Sequence, residues 1–390
     1  MRRVLKRSAI SILLAGASAA AHGYSNPIEG GAVQTVTNQW AVSVPWLVVG
    51  SNSDSNTLVV VEGGEVNNSI AYLGNTVGSS HNEVQVQGAG AVWNSSMELT
   101  IGHLGGTNTL TICDGGVAST DSAYIGKNSD RNRAIISDAG SLLVAENLYV
   151  GYQGDSNAMA VANGARVEST DADIGYWIGA DGNRVTVDGS LWTNSGALIV
   201  GNYGSGNTLS VSNGGQVETS VLNVGAQAMA SNNLVSVFDE GSQLNASEIN
   251  IGGNGNLVEV QNGGTIATEL LTIQNGGVFD LNDGGTFAIN NDFNVSTNGF
   301  NWNDGGHLRV SGNLEGMPVA TRFSSSYDVL DGNNKTLTLD GGTWTNSSSA
   351  IAIGFYGDNN AMVITNGGYV KSGSSKIGGS GSAQGNSVVV

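Results

Sequence analysis

Aligned on Asn56, Asn82, Asn108, Asn132, Asn157, Asn183, Asn207, Asn233 and Asn256, the chain repeats one hydrophobic rhythm, with eight intervals covering 200 residues at a mean of 25. Two and four positions after each asparagine stands an apolar residue, as in Leu58 and Val60, Leu110 and Ile112, or Val258 and Val260. Asn360 and Asn386 rejoin the series with Met362 and Ile364, then Val388 and Val390. The residue between each pair is often polar (Gln85, Thr111, Thr186, Ser210, Ser236, Glu259). A period of two with one polar side predicts a strand that buries one face.

A glycine turn follows these strands at Gly63-Gly64, Gly115-Gly116, Gly214-Gly215, Gly263-Gly264 and Gly367-Gly368. A second short strand then closes the unit, with apolar residues three and one before a glycine, as in Leu99 and Ile101 before Gly102 or Leu148 and Val150 before Gly151. Neither strand can bury its apolar face alone, so neighbouring copies must supply the core by stacking in register. The expectation is an all-β fold, a parallel β-helix (β-solenoid) of either hand with roughly 25-residue coils. At about 4.8 Å per coil the repeats give on the order of 14 coils and a rod of roughly 65 Å. A propeller blade needs about 40 residues, and a sandwich does not ask for the same Asn and Gly at the same offsets. The recurring asparagine reads either as a ladder of side-chain amides along the axis or as a turn residue.

The repeats divide the chain into 24–46, an N-terminal cap or first coil; 47–267, regular coils; 268–345, irregular coils; and 346–390, regular coils again. In the irregular part the glycine pairs Gly276-Gly277, Gly284-Gly285, Gly305-Gly306 and Gly341-Gly342 are unevenly spaced and Pro318 and a Ser-rich stretch at 324–326 intervene. Looped-out insertions are expected there, because strand-like segments persist at 308–310 and 337–339. The first 23 residues differ from the rest: Arg2, Arg3, Lys6 and Arg7 precede a short apolar run at 10–15 and the small residues Ala19, Ala20 and Ala21. That order predicts a secretory signal peptide. The chain stops inside the opening strand of another repeat, at Val390, which leads us to expect a piece of a longer product.

Composition sharpens the picture. With 59 glycines, 3 prolines, 12% charged and 39% hydrophobic residues, the chain is turn-rich yet apolar enough to fold. The formal charge is −18, and removal of residues 1–23 leaves 10 basic residues against 32 acidic ones, a net charge near −22. Such a field disfavours nucleic acid and anionic membranes, and no later segment approaches the roughly 20 apolar residues of a spanning helix. Cys113 stands alone, so no intrachain disulfide forms; it reads as an unpaired small residue near a strand end.

Units such as Leu99-Thr-Ile-Gly102, through Asn108-Thr-Leu-Thr-Ile112, to Gly115-Gly116-Val117 resemble the repeat shared by autotransporter passengers and exosortase-sorted (PEP-CTERM) exported proteins. The resemblance covers most of 47–390 and implies a β-helical passenger displayed on a Gram-negative outer membrane or released from the cell. It also implies a C-terminal translocating barrel or sorting segment, neither of which these residues contain. The expected function is a non-enzymatic structural or adhesive scaffold, with extracellular polysaccharide or a host or matrix surface as partner and no cofactor. The alternative is a carbohydrate-active β-helix enzyme, a polysaccharide lyase or glycoside hydrolase.

An enzyme of that kind needs two carboxylates flanking a cleft. Asp171 and Asp173 with Arg184, and Asp280 and Asp283 with Asp304, are the clusters the sequence offers; neither is assigned as catalytic. His81, His103 and His307 share no metal-ligand spacing, and His22 lies at the signal boundary. Asp54, Asp130, Asp155 and Asp358 each fall four residues after a strand-ending glycine, a pattern that suits stacked calcium ligands but is more simply turn chemistry. Trp93, Trp177, Trp192, Trp302 and Trp344 could offer faces to sugars, although tryptophan at a β-helix corner serves packing. No catalytic, cofactor-binding or metal-binding residue is assigned from the sequence.

Overall fold

The computed structural model describes residues 25–42, 46–274, 276–294, 298–315, 327–379 and 381–390. The leader read at 1–23 with His22, and Pro318 with 324–326, lie outside the described residues. The chain is an all-β parallel solenoid of about 13 turns with coils of roughly 25 residues. Each asparagine-led segment forms a strand: Thr109–Cys113 pairs in parallel with Glu83–Gln87 on one side and Arg133–Ser137 on the other. Such pairing continues through a 12-stranded sheet, the first face.

The glycine turn feeds a nine-residue strand, as in Val117–Ile125 and Leu142–Val150. Burial alternates through Ala118 and Thr120, then flips phase to Ala123 and Ile125. The strand therefore bends at Asp121 and serves two faces. In several coils the bend splits it, as into Leu191–Asn194 and Ala197–Val200, or into Thr265–Thr268 and Leu270–Ile273. The coil thus has three faces, not the two short strands expected. The extra inward column runs through Val66, Trp93, Ala118, Leu143, Val167, Trp192, Val217, Leu244 and Ile266, all buried. Leu110, Val211 and Val258 belong to one continuous core that reaches from Ile28 to Met362. Each fully buried Leu, Ile or Val in it contributes about 1.5–3 kcal/mol.

The asparagines form the ladder. The backbone N–H and Nδ2 of Asn157 both donate to Asn183 Oδ1, at 2.8 and 3.1 Å, and Asn157 Oδ1 accepts the same pair from Asn132. This geometry recurs from Asn56 to Asn256, where every rung is fully buried, and again between Asn360 and Asn386. Stacked amides satisfy a buried polar corner that turn propensity alone would leave open.

The strand-ending glycine column follows from the ladder. Gly201 has φ +75°, and a methyl there would overlap the Asn233 amide of the next coil. Gly214 has φ +78° with nothing within 4 Å of the same methyl. Alanine at positive φ costs about 1–2 kcal/mol at either site. Gly201→Ala is expected to lose a further 1–3 kcal/mol by crowding the ladder. Equal denaturant midpoints for Gly201→Ala and Gly214→Ala would refute this link.

The altered rhythm of 268–345 begins as shorter coils, and 316–326, within the stretch where insertions were expected, lie outside the described residues. Thr265, Thr286 and His307 stack in register, a step of 21 residues. Phe279, Phe287, Phe293 and Phe300 fill these tighter coils, with Phe279 and Phe287 ring centres 4.5 Å apart. The next step, across 29 residues, pairs His307 with Thr336. Beyond it the asparagine-led strands Ala361–Thr365 and Ser387–Val389 stack on the second face instead of the first. The asparagine corner has moved by one face.

Candidate ligand surface: a corner groove and its aromatic flank

Where the long strand bends between the second and third faces, the outer surface is concave. A groove of about 610 Å³ runs across five coils from Asn94 to Ser195, floored by short side chains such as Ser119, Ala145 and Ser169. A second stretch of about 310 Å³ continues the same corner from Glu218 to Asn290. The inward polar residues of the bend hold its shape. Asn68 Nδ2 donates to Ser95 Oγ at 2.8 Å, Ser169 Oγ to Asn194 Oδ1 at 2.7 Å, and Thr219 Oγ1 to Gly196 O at 3.0 Å. Trp93 Nε1 and Trp192 Nε1 tie into that column at Asn68 Oδ1 and Ser169 Oγ, at 2.8 and 3.0 Å. One end is marked by a bulge at Ser95/Glu98, which leaves Met97 exposed.

Asp121, Glu146 and Glu168 line the groove in three consecutive coils, with Arg166 the one cation among the lining residues. Arg166 Nη2 is engaged by Glu168 Oε1 at 2.8 Å. Register places Asp121 opposite Glu146, since Thr120 pairs with Ala145 and Ser122 with Asn147.

The outer side of the third face is aromatic. Tyr124 stacks on Tyr149 at 5.0 Å and Tyr152 on Tyr176 at 4.8 Å, while Trp177 meets Tyr176 and Tyr203 at 6.0 and 5.6 Å. Lys127 Nζ sits 4.3 Å from the Tyr124 ring centre and 2.7 Å from Glu98. Burial pushes the Tyr149 phenol up to about 12, helped by Asp173, and raises those of Tyr72, Tyr124 and Tyr176. Rings stacked on one another present edges to solvent, so most of this flank glues coils together. Trp177, between Tyr176 and Tyr203, is 44% exposed. The sequence carried a signal for it in the tyrosines that recur at the polar position between paired apolar residues, which the reading above passed over.

Asp171 and Asp173 do share the third face, but Arg184 lies on a first-face strand. Asp171 Oδ1 accepts the Ala197 N–H at 2.9 Å. Asp173 is 9% exposed, and burial above all pushes its carboxyl up to about 7, against the lowering effect of the Asn202 amide 3.2 Å away and with a smaller raise from Asp171. Asp280 accepts from Asn301 Nδ2 at 2.7 Å, and Asp304 from Asn333 N–H at 2.8 Å; Asp283 lies in the turn beneath Gly305. Asp130 accepts the Asp155 N–H, Asp155 the Asp181 N–H, Asp54 the Ser80 N–H and Asp358 the Gln384 N–H, at 2.6–2.9 Å. These aspartates are coil-to-coil acceptors.

His103 stacks on Tyr72 at 4.6 Å, and burial lowers its imidazole. His81 is an exposed turn residue and His307 an exposed strand residue. Among the described residues no three His, Cys, Asp or Glu side chains group so as to hold a metal. Trp93, Trp192, Trp302 and Trp344 are buried packing residues, unlike Trp177. The Cys113 thiol is pushed up, by burial first and Asp114 next, which makes it a poor nucleophile. No protein-family model matches the chain, and no curated protein matches it.

Proposed function

We propose that the chain is an exported, surface-displayed or secreted β-helical passenger of the autotransporter or exosortase-sorted kind, acting as a non-enzymatic structural or adhesive scaffold. One observation carries this reading: the polar side chains that could do chemistry bond the next coil instead. Asparagines bond asparagines, and Asp54, Asp130, Asp155 and Asp171 each accept a backbone N–H one coil on. A rod built in this way grows by about 4.8 Å per coil. Export is supported by the basic and then apolar start of the chain. The acidic charge of −18 suits a partner other than nucleic acid, such as polysaccharide or matrix.

The enzyme reading draws on Asp121 and Glu146, which stand opposite each other on adjacent strands in the groove. Retaining glycosidases hold their carboxylates about 5 Å apart. Both of these are exposed, however, and Arg166 is held by Glu168. Incubation with neutral and acidic polysaccharides is expected to yield no new reducing ends. Reproducible cleavage that disappears in Glu146→Gln would overturn the scaffold reading.

A further inference from the structure

We infer that the corner groove binds an extended glycan bearing free amino groups, laid along the solenoid axis. The groove holds about 610 Å³ and is open along its length, which suits a chain better than a compact molecule. Its lining is dominated by short hydroxyl side chains such as Ser96, Thr170 and Ser195, which exchange hydrogen bonds with hydroxyl-rich ligands without demanding one orientation.

Spacing and charge then select the class. A pyranose unit advances a glycan by a distance comparable to one coil step, so successive sugars meet equivalent positions of successive coils. Those positions carry a carboxylate in two adjacent coils, Asp121 and Glu146, and a hydroxyl in the next, Thr170, with Glu168 two residues before it and paired to Arg166. Amines on two adjacent sugars find the Asp121 and Glu146 carboxylates, whereas a uronate or sulfate would meet like charge with only the already paired Arg166 to offset it. A basic peptide fits less well. The strands flanking the groove have their N–H and C=O groups paired to the coils on either side, so no edge is open for strand addition. Apolar pockets for side chains are limited to Val144 and Ala145.

The inference rests on the scaffold reading only in that the glycan is held and not cut, and product analysis of the same samples separates the two. Calorimetric titration of the full chain is to use chitosan oligosaccharides, their fully N-acetylated counterparts, polygalacturonate and oligolysine. Chitosan oligosaccharides should bind at least tenfold more tightly than the N-acetylated ones, with affinity falling as salt rises, and polygalacturonate should not bind. The variant Asp121→Lys/Glu146→Lys, at two exposed sites, should lose chitosan binding at least tenfold. The variant Glu62→Lys/Glu240→Lys makes the same charge change at exposed turn positions outside the groove and should keep it. Equal loss in both variants, binding of polygalacturonate by the unaltered chain, or oligolysine binding with no chitosan binding would each overturn the inference. Cleavage of bound chitosan would overturn the scaffold reading alone.

Discussion

Asn157→Ala is expected to destabilise the solenoid by about 3–4 kcal/mol. Asn157 Oδ1 accepts from both the backbone N–H and Nδ2 of Asn132, at 2.8 and 3.1 Å, in a corner with no solvent access. Asn132 Nδ2 keeps Ser129 Oγ at 3.0 Å, but its backbone N–H keeps nothing. A buried donor without a partner costs about 1–3 kcal/mol, and the vacated amide volume adds a cavity. Asn183 Oδ1 still accepts the backbone N–H of residue 157, so the damage is confined to one side of the substitution. The exposed Asn128→Ala, in the turn one coil away, should stay within about 0.5 kcal/mol. Urea midpoints followed by circular dichroism compare the two, and equal shifts would show that the ladder contributes nothing. Asn157→Asp adds a check of sign: its second carboxylate oxygen would face Asn183 Oδ1, so the loss should shrink when acid restores a proton that can be donated.

The ladder also explains why so few ions are needed. Each regular coil carries a hydrophobic column on three faces and a polar column at the asparagine corner, and a further polar column lines the bend beside the groove. Within the described residues three ion pairs bridge side chains, Lys127 with Glu98, Arg166 with Glu168 and Arg309 with Asp340. Pairs of this exposure contribute little. Specificity of register therefore rests on the amide rungs together with the pleat, since a slip of one residue would break the rungs and turn residues such as Leu110 and Ile112 outward.

Two of the three faces were legible because their inward positions are apolar in pairs, as in Leu110 with Ile112 and Leu99 with Ile101. The second face escaped notice because in most coils only one of its two inward positions is apolar, Leu143 with Ala145 and Leu244 with Ala246 being exceptions. Trp93 is followed inward by Ser95, Ala118 by Thr120, Val167 by Ser169 and Trp192 by Asn194, all buried. A polar residue that turns inward to bond a corner breaks the period-two pattern without breaking the strand. The asparagine column was visible but not its chemistry, because amide orientation depends on the coil above. The groove depends on the angle of the bend, which no spacing encodes. The shift of the asparagine corner by one face was equally hidden, since the repeat itself resumes unchanged at Asn360.

Asp173→Asn is expected to stabilise the protein at pH 8 and to leave it nearly unchanged at pH 4. Position 173 alternates outward, which from sequence alone suggests a hydrated carboxylate. Register instead sets it between Tyr149 on one strand and Ile199 on the next, with Asn202 across its open side. Burial raises its carboxyl from the ordinary 3.8 to about 7. Below about pH 4 the folded and unfolded chains both hold the proton, and no penalty exists. As pH rises from about 4 to about 7 the unfolded chain ionises while the folded one does not, so stability falls through that window and levels off above it. The full difference corresponds to about 4 kcal/mol as an upper bound. Asparagine keeps the acceptor for Asn202 Nδ2 and cannot ionise, which removes the dependence. Thermal midpoints measured at pH 4, 5.5, 7 and 8 should therefore diverge between the two proteins as pH rises. Parallel curves would mean that Asp173 is charged in the fold, and that the aromatic flank around it is wetter than its packing implies.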